Sequence, residues 1–166
     1  MNRRRNLGFI AGGPAALMLS ACGFQPLYGG GGAVSADMAA IAIPEPDTRL
    51  GQLIRNDLIS AIRPAGPAGP DRYRLILSPK LNESVSVDTV AGGIQRKRVR
   101  LAVSFQLIDS QSGAAVYAGK TFSQASYDET GQSFADSRAQ SNAIERVAKD
   151  ASLDIRTRLA AHFAAG

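Results

Sequence analysis

Cys22 is the only cysteine among the 166 residues, and its setting points to a covalent chemistry. It closes the sequence Leu19-Ser20-Ala21-Cys22, after a cationic start at Arg3, Arg4 and Arg5 and an apolar run from Leu7 to Leu19. A charged start, a short apolar stretch and small residues at the cut make a secretory signal peptide. A cysteine directly after the cut makes it a lipoprotein processing site. On this reading residues 1–21 are removed, and Cys22 becomes the first residue and the lipid carrier. The apolar run, about thirteen residues, is shorter than the roughly 20 that a spanning helix needs. The alternative is an ordinary secretory signal followed by a chance cysteine. Gly23 stands where an Asp would favour retention in the inner membrane, so the outer membrane is the expected location. Each buried CH₂ of an acyl chain contributes about 0.8 kcal/mol, so several chains on one cysteine give a stable anchor.

The second concentration of chemistry is Gln95-Arg96-Lys97-Arg98-Val99-Arg100. In a strand, alternate residues share a face. Arg96, Arg98 and Arg100 then stand together, with Lys97 opposite and Lys120 available from a neighbouring strand. One reading is a solvated sheet face or an edge blunted by charge. The other is a site for phosphorylated groups, because guanidinium pairs with phosphate bidentately. For a protein of the outer membrane, the phosphorylated sugar head of lipopolysaccharide is the nearest such ligand.

Other chemistries find little support. His162 is the only histidine and falls near the end of a helical stretch, so a histidine general base or a multi-histidine metal site is not expected. The glycines at 29–32 and 92–93 do not both follow a strand and open a helix, and they lack the lysine and spacing of a phosphate loop. Lipidation of Cys22 leaves no thiol for a disulfide, a nucleophile or a metal. The chain reads as a non-enzyme without cofactor or metal. Its net charge of +5 is largely signal peptide. Removing Arg3, Arg4 and Arg5 and no acid takes the basic count from 19 to 16 against 14 acids, and the net charge from +5 to +2. With no tryptophan and 6% aromatic residues, a base-stacking surface and a nucleic-acid partner are not expected.

The elements that must position these residues follow from periodicity. Residues 22–36 contain Gly29-Gly30-Gly31-Gly32 and read as a flexible tether. Residues 37–166 make a single domain, by the size expected of one core. Met38 to Ile43 is an apolar run stopped by Pro44, expected as a first strand. Asp47 is a candidate helix cap. Leu50, Ile54, Leu58 and Ala61 recur at helical spacing, giving a helix over about 48–62. Pro64 to Pro70 is a loop by composition. From Arg72 the period becomes two, and the strand is expected to continue past Pro79 if that residue lies at an edge or bulge. Ala91-Gly92-Gly93 is a hairpin turn. Val99, Leu101, Val103, Phe105 and Leu107 then alternate with polar residues, the mark of a half-covered antiparallel strand. A turn at Asp109 to Gly113 leads to a strand from Ala115 to about Tyr127. A long helix runs from about Phe134 to Phe163, with Ile144, Val147, Ala148, Ala151, Ile155 and Leu159 on one stripe. Leu153 falls opposite that stripe, an isolated exposed leucine or a mark of partner contact. This order implies an α+β two-layer sandwich, with an about four-stranded, mainly antiparallel sheet and two helices packed on one face. Arg74, Arg98 and Arg100 occupy the other face.

The stretch Ala21-Cys22-Gly23-Phe24-Gln25-Pro26-Leu27-Tyr28-Gly29 resembles the mature start of lipopolysaccharide-assembly lipoproteins of the LptE family, which often begin Cys-Gly-Phe-x-Pro-Leu-Tyr. The layout over residues 20–163 is similar too, with Gly51 to Leu58 matching a helix pattern of the family. The resemblance implies an outer-membrane protein bound to the large β-barrel translocon LptD. It implies a plug in the barrel lumen that assists barrel assembly and binds lipopolysaccharide. Two other readings fit the same architecture: a lipoprotein of a different envelope complex, and a lipid-anchored hydrolase.

Overall fold

The computed structural model of the protein describes residues 33–63, 70–90 and 94–165. Cys22, the signal peptide, the glycine run of the tether, most of the Pro/Gly loop and the Ala91-Gly92-Gly93 turn lie outside the described residues. The elements are α1 (Ala33–Ala39), β1 (Ile41–Ala42), α2 (Arg49–Ile62), β2 (Tyr73–Val90), β3 (Ile94–Asp109), β4 (Ala115–Glu129) and α3 (Ser133–Ala165). The strands form one sheet in the order β1-β2-β3-β4. β1 is parallel to β2, with α2 between them in the chain, and the other pairs are antiparallel. Helices cover one face of the sheet, so the α+β sandwich expected from the pattern is present, with one additional short helix.

That helix corrects the reading of residues 38–43 as a strand. Met38 belongs to α1 and is buried, with Val34 packed against the same core one turn earlier. Only Ile41 and Ala42 pair with β2, and Pro44, which has no N–H to donate, follows closely. Two arginines, Arg55 of α2 and Arg63 just past its end, hold the segment 41–43 in place. Arg55 Nε donates to Ile43 O at 2.9 Å, and Arg63 donates to Ile41 O. A second correction concerns the start of α2. The cap is Thr48 rather than Asp47: Thr48 is extended, and its Oγ1 accepts from Gly51 N at 3.1 Å. Such a hydroxyl satisfies one of the amides that a helix start leaves without a partner.

β3 is the centre of the core. Val99, Leu101, Val103, Phe105 and Leu107 are all essentially inaccessible. They face Ile54, Leu58 and Ile62 of α2 and Val147, Ala148, Ala151, Ile155 and Leu159 of α3. Full burial of each large aliphatic side chain stabilises the fold by about 1.5–3 kcal/mol. The small residues of α3 bring the two helices together. Ser152, buried between them, donates to Ala148 O at 2.8 Å and to Ile54 O of α2 at 3.3 Å.

β1 pairs only with Tyr73 and Arg74, so β2 is the sheet edge from Leu75 onward. Pro79 sits on that edge, in register with Val103. An edge position costs no ladder hydrogen bond on the open side. The turn between β3 and β4 closes on Asp109, whose Oδ1 accepts from the amides of Gln111 and Ser112 at 3.1 and 2.7 Å. These bonds from Ser112 hold the Asp109 carboxyl below the usual carboxylate range. Gly113 completes the turn at φ 71°, a conformation that other residues reach only with strain.

Candidate functional site

Among the described residues, nothing is packed as a layer on the face of the sheet away from the helices, which is bare. Its outward positions form registered rows across β2, β3 and β4. Ser84, Arg98 and Ser126 make one row, and Asn82, Arg100 and Gln124 the next. Lys80, Ala102 and Phe122 follow, and then Ser78, Ser104 and Lys120. The central members Ala102 and Ser104 are too small to fill the space above the sheet. Lys80, Arg100, Ala102, Ser104, Lys120 and Phe122 are all exposed.

The four cations singled out in the sequence lie on this face, and Lys97 points the other way, but they are not equivalent. Arg96 stands opposite Asp128 and grips it with two contacts, Nε to Oδ1 at 2.7 Å and Nη2 to Oδ2 at 3.2 Å. These bonds hold Asp128 below the ordinary carboxylate range and raise Arg96. Arg96 is therefore already neutralised. Arg98 donates to Ser86 Oγ at 2.8 Å, a neutral partner. Arg100 and Lys120 have no carboxylate partner among the described residues. Arg74 lies at the far end of the same face, opposite Ile108. Asp128 is the single acid at the described outward positions from Arg96 to Gln106 and their neighbours, so the bare face is cationic.

Two residues of this face escaped the sequence reading. Lys80 is in phase with Ser78 and Asn82 and follows from extending the alternation past Pro79. Phe122 follows by the same alternation from Lys120, two residues earlier, though it sets a large apolar ring outward and two hydroxyls, Thr121 and Ser123, inward. Phe122 is 73% exposed, and Thr121 and Ser123 are buried. The hydroxyls find partners on α3. Ser123 donates to Val147 O at 2.7 Å, and Thr121 hydrogen-bonds Asp154. Burial opposes the charge on Asp154, but the bonds from Thr121 and Arg158 still hold it below its usual range.

The helical side offers less. At the hairpin end, Glu83 accepts from the Tyr127 hydroxyl and from Gln140 Nε2, the latter at 2.8 Å. Burial first, and then this bond to a carboxylate, push the Tyr127 phenol up. Lys97 pairs with Glu129 at 2.8 Å beside it. These groups tie β2, β3, β4 and α3 together. His162 stacks on Tyr117 at a centroid distance of 4.7 Å, next to Phe163 on Tyr73, as an aromatic closure at the end of α3. A groove of about 310 Å³ between α2, α3 and β2 is walled by Leu50, Leu53, Leu81 and Ile144, with Arg49 and Glu145 also lining it. No group of acids, histidines or cysteines able to hold a metal occurs among the described residues. No described helix is long and apolar enough to cross a membrane.

Comparison with known proteins agrees with this architecture. A candidate lipoprotein of Caulobacter crescentus superposes with a TM-score of 0.66 at 29% identity, over 80% of this chain and 97% of that one. A minor lipoprotein of Acinetobacter baumannii shares the fold, with a TM-score of 0.56 at 17% identity over 73% of this chain and 88% of its own. No curated protein matches the chain at a significant level. The family model for LptE, lipopolysaccharide-assembly, matches residues 38–159, from the buried Met38 of α1 to the buried Leu159 of α3. The chain belongs to the LptE lipopolysaccharide-assembly family.

Proposed function

We propose that this protein is an outer-membrane lipoprotein, anchored through Cys22, that partners and plugs the β-barrel lipopolysaccharide translocon LptD. In that role it helps the barrel assemble and helps lipopolysaccharide enter the outer membrane, without catalysing a reaction. The family match over residues 38–159 is the observation that carries this reading. The bare sheet face supports it physically. The interior of a large membrane barrel is polar, and a sheet with one polar face and one face sealed by helices suits that setting. The lipopolysaccharide site is proposed on Arg98, Arg100 and Lys120. Arg96, expected in the same set, contributes through its pair with Asp128 rather than as a free cation.

The deciding experiment is purification of the tagged, lipidated protein from detergent-solubilised outer membranes, with identification of what accompanies it. A large β-barrel in stoichiometric amount is the expected result. A different envelope complex, or no partner, would overturn the plug reading and favour a lipoprotein of another assembly.

A further inference from the structure

We infer that Phe122 is the specificity-determining residue of the bare sheet face. With Lys80, it turns a patch for anions in general into a site for a phosphorylated sugar that carries apolar chains. The inference rests on the reading that this face binds lipopolysaccharide.

The argument begins with what a cation patch lacks. Ammonium and guanidinium groups on an open sheet attract any polyanion, and salt screens the attraction over about 10 Å. Such a surface reads charge and little else. Phe122 adds the missing element. It is the most exposed large hydrophobic residue on the described strands, at 73%. Ala102 is its registered partner on β3. Beyond Ala102, in the same row, stands Lys80 on β2. Two strand spacings of about 4.8 Å each separate the Lys80 and Phe122 backbones. The small Ala102 and Ser104 form the floor between them. Lys120 lies two residues before Phe122 on the same face of β4, and Arg100 lies one register step away on β3. The ring is thus bordered by cations along its own strand, on the diagonal and across the trough.

This arrangement selects its occupant by charge and by apolarity together. A second copy of the chain is disfavoured, because two such faces would oppose cation to cation. An inorganic polyanion satisfies the cations and leaves Phe122 in water. A phosphorylated sugar with attached acyl chains satisfies both, placing phosphates on Lys80, Arg100 and Lys120 and apolar surface on the ring. None of these side chains is in the core, so substitution leaves the fold intact.

The test compares two probes on the full-length lipidated protein in detergent micelles: purified lipopolysaccharide and inorganic tripolyphosphate. Phe122→Ala is expected to weaken lipopolysaccharide binding about tenfold, a factor equivalent to about 1.4 kcal/mol, and to leave tripolyphosphate binding unchanged. Phe122→Tyr, which keeps the ring, is expected to retain most of the affinity. Lys80→Ala is expected to weaken both probes. Equal binding of lipopolysaccharide by Phe122→Ala and the unsubstituted protein would overturn the inference, as would a parallel loss for both probes. Absence of lipopolysaccharide binding by the unsubstituted protein would instead overturn the reading of the face, a separate and recognisable failure.

Discussion

Phe105 lies over the backbone of Gly119. The two are registered partners on β3 and β4, and a Cβ built on Gly119 would sit 2.5 Å from Phe105 Cζ. Phe105 is itself fully buried and 5.9 Å from the Tyr117 ring, so it has little room to yield. Gly119→Ala is therefore expected to destabilise the domain by about 1–3 kcal/mol through overpacking, read as a lower urea midpoint at unchanged slope. A midpoint at or above that of the unsubstituted protein would show that the ring moves aside.

The unequal roles of the arginines make a second prediction. Arg98→Glu with Arg100→Glu is expected to reduce lipopolysaccharide binding while leaving the thermal midpoint nearly unchanged, since surface substitutions away from packed features generally cost less than about 0.5 kcal/mol. Arg96→Gln is expected to change binding little. Unchanged binding in the double variant would leave this face as a solvated surface.

Ser123 reaches from β4 to the Val147 carbonyl of α3 in a buried position. Ser123→Ala removes the donor and leaves that carbonyl with its helical partner alone. The expected loss is about 1 kcal/mol, measured by chemical denaturation. A gain in stability would mean that the hydroxyl costs more to bury than its bond returns.

Acid should unfold the domain through identifiable carboxylates. Hydrogen bonds hold Asp109, Asp128 and Asp136 below the usual carboxylate range, from Ser112, from Arg96 and from the Thr130 amide respectively. A folded pKa below the unfolded one gives stability that is fully present above the unfolded value, near 3.9, and lost as pH falls through the folded value. The urea midpoint is expected to be flat from neutral pH to about 5 and to fall below about 4. A midpoint that stays level to pH 2.5 would contradict the assigned hydrogen bonds.

Lipidation has its own check. Cys22→Ala is expected to leave an unlipidated precursor, because no other thiol exists in the chain. A lipid-labelled Cys22→Ala protein would refute the anchor.

Much of the fold was legible because periodicity is a local property. The alternation from Val99 to Leu107 determined which face of β3 is buried, and the stripe on α3 determined which side meets the sheet. Pro79 as an edge residue followed from the chemistry of its missing N–H. The start of the domain was harder to read, since a short apolar run such as 38–43 carries no length from which to tell helix from strand. What only the tertiary structure decided depends on partners remote in sequence. Arg96 and Arg98 look alike along the chain, yet Asp128 stands 32 residues beyond Arg96 and takes one of them through the β3–β4 register. Phe122 shares the outward face with Lys120 and Gln124, and burial of Thr121 and Ser123 opposite is tolerable because their hydroxyls find hydrogen-bond partners on α3. Alternation specifies two faces, and hydrogen bonds across the layers are what let the covered one bury hydroxyls while the ring stays outside.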